Sequence, residues 1–135
     1  CVDASRRFAR LLHRAFVGAT KDEVLLGEPA FRGAPAIEAL ARGAYRDKPV
    51  TAIRGSGYVV ESLEAALWCL WHTDTFEAAV LAAVNLGDDA DTTAAVCGQL
   101  AGAQYGVEAI PVRWRERLVM GPLLLDLADR LRREA

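Results

Sequence analysis

The sequence predicts an all-α protein, a compact bundle of six or seven helices joined by short loops, and three observations carry that prediction. Apolar residues recur at three- and four-residue spacing along nearly all of the 135 positions. No segment shows the strict apolar–polar alternation of a half-buried strand. Gly, Pro and Thr punctuate the pattern where helices would start and stop. A single domain spanning 1–135 is expected, with no linker, internal repeat or low-complexity stretch.

Starting at Asp3, the residues Phe8, Leu11, Leu12, Ala15 and Phe16 line one helical face as far as Gly18. Thr20 and Glu23 have the spacing of a capping box for a short helix carrying Val24, Leu25 and Leu26. Pro35 suits the first turn of a helix with Ile37, Leu40, Ala41 and Ala44 inward. Asp47 to Ile53 reads as a connecting loop. Gly55-Ser56-Gly57-Tyr58 interrupts the pattern before a strong helix striped by Val60, Leu63, Leu67, Leu70 and Trp71. Thr73 or Asp74 is the expected cap of the next helix, with Phe76, Val80, Ala83 and Val84 inward and Asn85-Leu86-Gly87 at its end. A further helix runs from Asp91 to Tyr105. After Gly106, Pro111 opens a short helix with Trp114 and Leu118, and Gly121-Pro122 precedes a last amphipathic helix bearing Leu124, Leu127, Ala128 and Leu131.

Composition narrows the function classes. A net charge of −2 offers nothing global to nucleic acid or to an anionic membrane, and the arginines at 113, 115, 117, 130, 132 and 133 read as solvated helix faces. No unbroken apolar run reaches membrane-spanning length, and the cytoplasm is the expected compartment. Cys69 and Cys97 fall among Leu, Trp, Ala and Val, where reduced, buried thiols are expected. Zinc is disfavoured by the lack of paired cysteines and by having only His13 and His72. A chain opening at Cys1 without Met points to a processed product or a fragment. The self-processing hydrolases that use an N-terminal cysteine need a sheet sandwich, which this helical pattern contradicts.

Chemistry concentrates in Asn85 to Gly106, NLGDDADTTAAVCGQLAGAQYG. Asp88, Asp89 and Asp91 stand within four residues, followed by Thr92 and Thr93. Carboxylates so close repel one another, and a helix N-terminus offsets only part of that repulsion. A divalent cation offsets more, and carboxylate and hydroxyl oxygens are hard donors that suit magnesium, manganese or calcium rather than zinc. The helix that follows is rich in small residues, with Gly98 and Gly102 one turn apart. Interior glycines cost about 1 kcal/mol each against alanine, and the close approach of a neighbouring helix is the expected compensation. Two other readings of the acidic run fail. A haloacid-dehalogenase-like phosphatase motif, Asp89-x-Asp91-x-Thr93, should end a β-branched strand, yet Ala78 to Leu86 is alanine-rich at helical spacing. An EF-hand counted from Asp89 puts Leu100 where a bidentate Glu is required. The plain structural alternative, in which Asp89 or Asp91 only caps a helix, stays open on the residues alone.

This same run resembles the C-terminal metal motif of ADP-ribosylglycohydrolases of the dinitrogenase-reductase-activating type, and the upstream GSGYVVESLEAALWCLW is similar to the segment that precedes it in that family. The resemblance implies an all-α bundle of the ADP-ribosylglycohydrolase type, here incomplete, with two magnesium or manganese ions (Mg2+ or Mn2+) in a central cleft and an ADP-ribosylated substrate. Carried over by position, Asp89, Asp91 and Thr92 match metal ligands. Asp88 stands where many members have Gly and is a neighbour of the ligands. Gly57 and Tyr58 match a loop beside the bound ADP-ribose. The family's other acidic motif, of the Thr-Asp-Asp-Thr kind, and its early Glu are missing from this sequence. One half of a dinuclear site is therefore expected here, completed by a missing N-terminal half or accompanied by self-association, with no catalytic acid or base assigned. A rival of a different class is a non-catalytic helical module that binds ADP-ribose or a partner.

Overall fold

The computed structural model describes residues 1–134, and among these residues there are eight α-helices, two short 3-10 turns and no strand. The all-α prediction holds, with more helices than the six or seven expected. Helix α1 spans Val2–Phe16, α2 Lys21–Leu26, α3 Pro35–Ala41, α4 Val59–Trp71, α5 Phe76–Asn85, α6 Ala90–Tyr105, α7 Val112–Arg115 and α8 Gly121–Glu134. The 3-10 turns are Val50–Ala52, inside the expected Asp47–Ile53 loop, and Val107–Ala109. No described helix is long and apolar enough to cross a membrane.

Helix α4 sits at the centre because its apolar residues nearly encircle it. Leu63, Ala65, Ala66, Leu67, Cys69 and Leu70 are all buried, and α5 and α6 pack on it and on each other. Cys69 and Cys97 are free, buried thiols, each pushed up to about 12 by that burial, as their apolar neighbours predict.

The buried face of α1 differs from the one read in the sequence. Ala4, Arg7, Leu11 and Ala15 point inward at helical spacing, whereas Phe16 is 73% exposed. Arg7 is tolerated inside because its guanidinium donates to Glu28 Oε2 (3.1 Å) and to the Leu25 carbonyl (3.0 Å). Periodicity alone assigns a charged residue to the solvent. Here a partner 21 positions away reverses that.

Turn chemistry fixes the joints. Thr20 and Glu23 form the expected capping box, with Thr20 N donating to Glu23 Oε2 at 2.8 Å and Glu23 N to Thr20 Oγ1 at 3.3 Å. Pro35 opens α3, and Asp3 of α1 accepts from Ala34 N at 2.8 Å just ahead of it. Thr75, not Thr73 or Asp74, caps α5, accepting from Ala78 N at 3.1 Å. The two rejected residues have other work. Thr73 donates back to Cys69 O at 2.7 Å, and Asp74 pairs with Lys21 at 2.8 Å.

Helix α6 lies along α5, and the two glycines do face it. A Cβ built on Gly98 would stand 3.7 Å from Val80 Cγ2, and one on Gly102 3.8 Å from Phe76 Cε2. Those are ordinary van der Waals distances, so the approach is looser than the glycine pair led us to expect. Helix α8 forms as predicted, yet none of its residues is buried, and Leu124 and Leu131 remain 48% and 73% exposed.

Candidate functional site

Two segments far apart in sequence meet at the N-terminus of α6. One is the loop Gly55–Tyr58 that leads into α4, the other the acidic turn 87–89 between α5 and α6 together with the first turn of α6. Asp89 N donates to Gly55 O at 2.8 Å, which ties the two backbones together. Gly55 has little room for a side chain, because a Cβ there would stand 3.0 Å from Gly87 O. At Gly57 the missing side chain makes room for the Asp89 carboxylate, whose Oδ2 would lie 3.1 Å from a Cβ. Tyr58 follows at once, 60% exposed, with its ring free to receive a planar group.

Asp89 occupies the N-cap position of α6 but makes no side-chain capping bond. The reading in which it merely caps the helix therefore loses its interaction, and the carboxylate is left to other partners. Its backbone does the structural task, since Thr93 N donates to Asp89 O at 3.1 Å. Asp91, in the first turn, lies beside it. The Asp91 carboxyl is held below its usual range by the Thr92 N–H, then by the adjoining Asp89 carboxyl, then by its own N–H. Thr92 is exposed and helps line a cavity of about 260 Å3 between α1, α4 and α6, together with Gly57, Phe8, Ser62 and Val96. Thr93, its neighbour in the motif, is fully buried against Gly55.

Asp88 is exposed in the left-handed region at φ 56°, a conformation that costs most side chains energy and that Asp and Asn accept more readily. That backbone geometry is the physical reason a glycine suits the position.

As a donor set, Asp89, Asp91 and Thr92 offer only hard oxygens, and two adjoining carboxylates are best stabilised by a shared cation or proton. They fit magnesium or manganese. They do not make a full shell: among the described residues no three His, Cys, Asp or Glu side chains are grouped to hold an ion.

Comparison with known proteins matches the ADP-ribosylglycohydrolase family model to residues 1–135. The chain belongs to the ADP-ribosylglycohydrolase family. Over 131 residues it is 44% identical to the ADP-ribosylarginine hydrolase Tri1 of Pseudomonas putida (strain GB-1), covering 96% of this chain and 35% of that protein. It is 45% identical over 67 residues to the ADP-ribosyl-[dinitrogen reductase] glycohydrolase of Rhodospirillum rubrum, covering 50% of this chain and 23% of the relative. A solved ADP-ribosylglycohydrolase-related protein complex matches at TM-score 0.84 and 39% identity, over 93% of this chain and 44% of that one. The chain thus spans about a third or less of the length of these curated relatives.

Within this ADP-ribosylglycohydrolase chain, Gly57 and Asp91 lie beside Asp89 and Thr92 shares a cavity with Gly57, whereas Tyr58 lines an adjoining cavity with Asp3 and Ile37. Two residues at the same place went unread. Ser56 donates to Glu61 and accepts from Tyr58 N at 3.2 Å, so it satisfies an orphan N–H at the start of α4. The signal for it was weak, since Ser56 stands two residues ahead of the Tyr58 N-cap and five from Glu61 rather than at capping-box spacing.

Proposed function

We propose that this chain contributes one side of the dinuclear metal centre of an ADP-ribosylglycohydrolase, with Asp89, Asp91 and Thr92 as ligands to magnesium or manganese. Gly57 and Tyr58 form the wall that faces ADP-ribose. The observation that carries this reading is the contact between the two segments, in which the Asp89 carboxylate lies against Gly57, the residue before the exposed Tyr58. Two carboxylates and a hydroxyl leave a six-coordinate ion short of donors. The remaining ligands, the acidic motif this chain lacks and any general base then come from the part of the family domain it does not span.

The reaction is hydrolysis of the bond between the ribose anomeric carbon and its acceptor. Water oxygen bonds to that carbon, the bond to the acceptor breaks, and the acceptor takes up a proton. Bound metal ions would hold ribose hydroxyls and lower the pKa of a water. Asp89 and Asp91 act as ionised acceptors, and their charge also favours the positive character that develops on the sugar ring. Tyr58 orients the nucleotide by stacking. Arginine is the acceptor we propose first, because two relatives at 44% and 51% identity are named ADP-ribosylarginine hydrolases. The cytoplasm is the compartment we propose, in keeping with three free cysteines.

Calorimetric titration with Mn2+ or Mg2+, with and without ADP-ribose, tests the assignment on the intact chain and on Asp89→Ala and Asp91→Ala. Binding that both substitutions abolish supports it. Binding by the intact chain that neither substitution weakens removes the metal assignment.

A further inference from the structure

We infer that Ser56 and Glu61 are positioning residues that set the place of Asp89 through the backbone of the Gly55–Tyr58 loop. The functional significance of this clasp rests on the reading of Asp89 as a metal ligand. Its geometry stands apart from that reading.

Tyr58 is the N-cap of α4 and its own side chain caps nothing, so the first N–H groups of the helix need another acceptor. Ser56 supplies one. Its hydroxyl accepts from Tyr58 N at 3.2 Å and donates its proton to Glu61 Oε2, half-buried in the first turn of α4. An ionised acceptor strengthens that bond, and its charge is favoured at the positive end of the helix. The clasp ties together the two ends of the six-residue segment Ser56 to Glu61. Immediately ahead of it, Gly55 O accepts from Asp89 N at 2.8 Å, and within it Gly57 lies 3.1 Å (counted from a built Cβ) from Asp89 Oδ2. One backbone hydrogen bond and one carboxylate contact on Asp89 therefore come from Gly55 and Gly57, the residues on either side of Ser56. Asp89 has no side-chain capping bond to fix it from its own helix. Its backbone is held on one side by Thr93 N and on the other by the loop through Gly55 O.

A cap confined to α4 would make a different prediction from a clasp that reaches Asp89. Amide hydrogen exchange resolved by residue separates the two. In Ser56→Ala and Glu61→Ala the Asp89 amide should exchange on the order of tenfold faster, as expected when one supporting hydrogen bond is lost. The amides of Leu70 and Leu100, buried in α4 and α6, should keep their rates and so report an intact fold. Glu61→Gln retains an oxygen acceptor for the Ser56 hydroxyl and should restore most of the protection. Faster exchange at Tyr58 and its neighbours with Asp89 unchanged would overturn the inference, reducing the pair to a local cap. Mn2+ titration of the same variants supplies a second readout, with affinity expected to fall severalfold in Ser56→Ala and to recover in Glu61→Gln. Where the intact chain binds no Mn2+, the exchange result by itself decides the clasp.

Discussion

Replacing Gly98 and Gly102 by alanine should stabilise the chain, and the structure gives the size of the effect. Both lie inside α6, neither has a positive φ, and the nearest atoms to a new Cβ are Val80 Cγ2 at 3.7 Å and Phe76 Cε2 at 3.8 Å. A methyl fits at each position in ordinary contact. Glycine costs a helix interior about 1 kcal/mol relative to alanine, mainly through the entropy of the unfolded chain. The half-buried methyl adds a few tenths of a kcal/mol by leaving water. Each substitution should therefore contribute about 1 kcal/mol, and the pair about 2 kcal/mol, since they meet different neighbours on α5. For a domain of this size that corresponds to roughly 4 °C in Tm per substitution. Thermal melting followed by circular dichroism at 222 nm is the assay. Gly55→Ala is the contrasting case, because its Cβ would meet Gly87 O at 3.0 Å and Thr93 Oγ1 at 3.3 Å in a buried corner. Overpacking of that kind costs about 1–3 kcal/mol. A lower Tm in Gly98→Ala or Gly102→Ala would show that α5 sits closer to α6 than these distances, and the reasoning would fail.

Two further outcomes are expected. Asp88→Gly relieves the left-handed backbone at φ 56° and should raise the urea midpoint slightly, while leaving Mn2+ binding intact if Asp88 is only a neighbour of the ligands; lost binding would make it a ligand. The Glu23 carboxyl is held below its usual 4.5 by the Thr20 N–H and then by the Thr20 hydroxyl. A carboxyl depressed in the folded state stabilises above its unfolded pKa and loses that contribution as pH falls through the folded value. Stability measured by chemical denaturation should thus decline as pH drops below 4.5, less steeply in Glu23→Gln, and identical pH profiles would refute the capping-box contribution.

Much of the site and fold was legible in the sequence because it rests on local rules. The capping box at Thr20–Glu23, the proline start of α3 and the acidic turn before α6 all follow from residues within a few positions of one another. Helical periodicity is local as well, so the all-α class emerged without any knowledge of packing. The acidic run with its flanking motif also carried the family.

What the tertiary structure alone decided involves residues far apart in the chain. Arg7 is buried because Glu28 and the Leu25 carbonyl reach it across the gap between α1 and the end of α2. Thr75 rather than Thr73 caps α5 because Thr73 and Asp74 are already engaged with Cys69 and Lys21. The room left beside Gly98 and Gly102 is set by where α5 lies. Above all, the meeting of Gly55–Gly57 with Asp89 joins two segments some thirty residues apart. A hydrogen bond between distant backbones leaves no periodicity in the sequence, because either partner could be almost any residue. Only the packing of α4 against α6 brings them within reach.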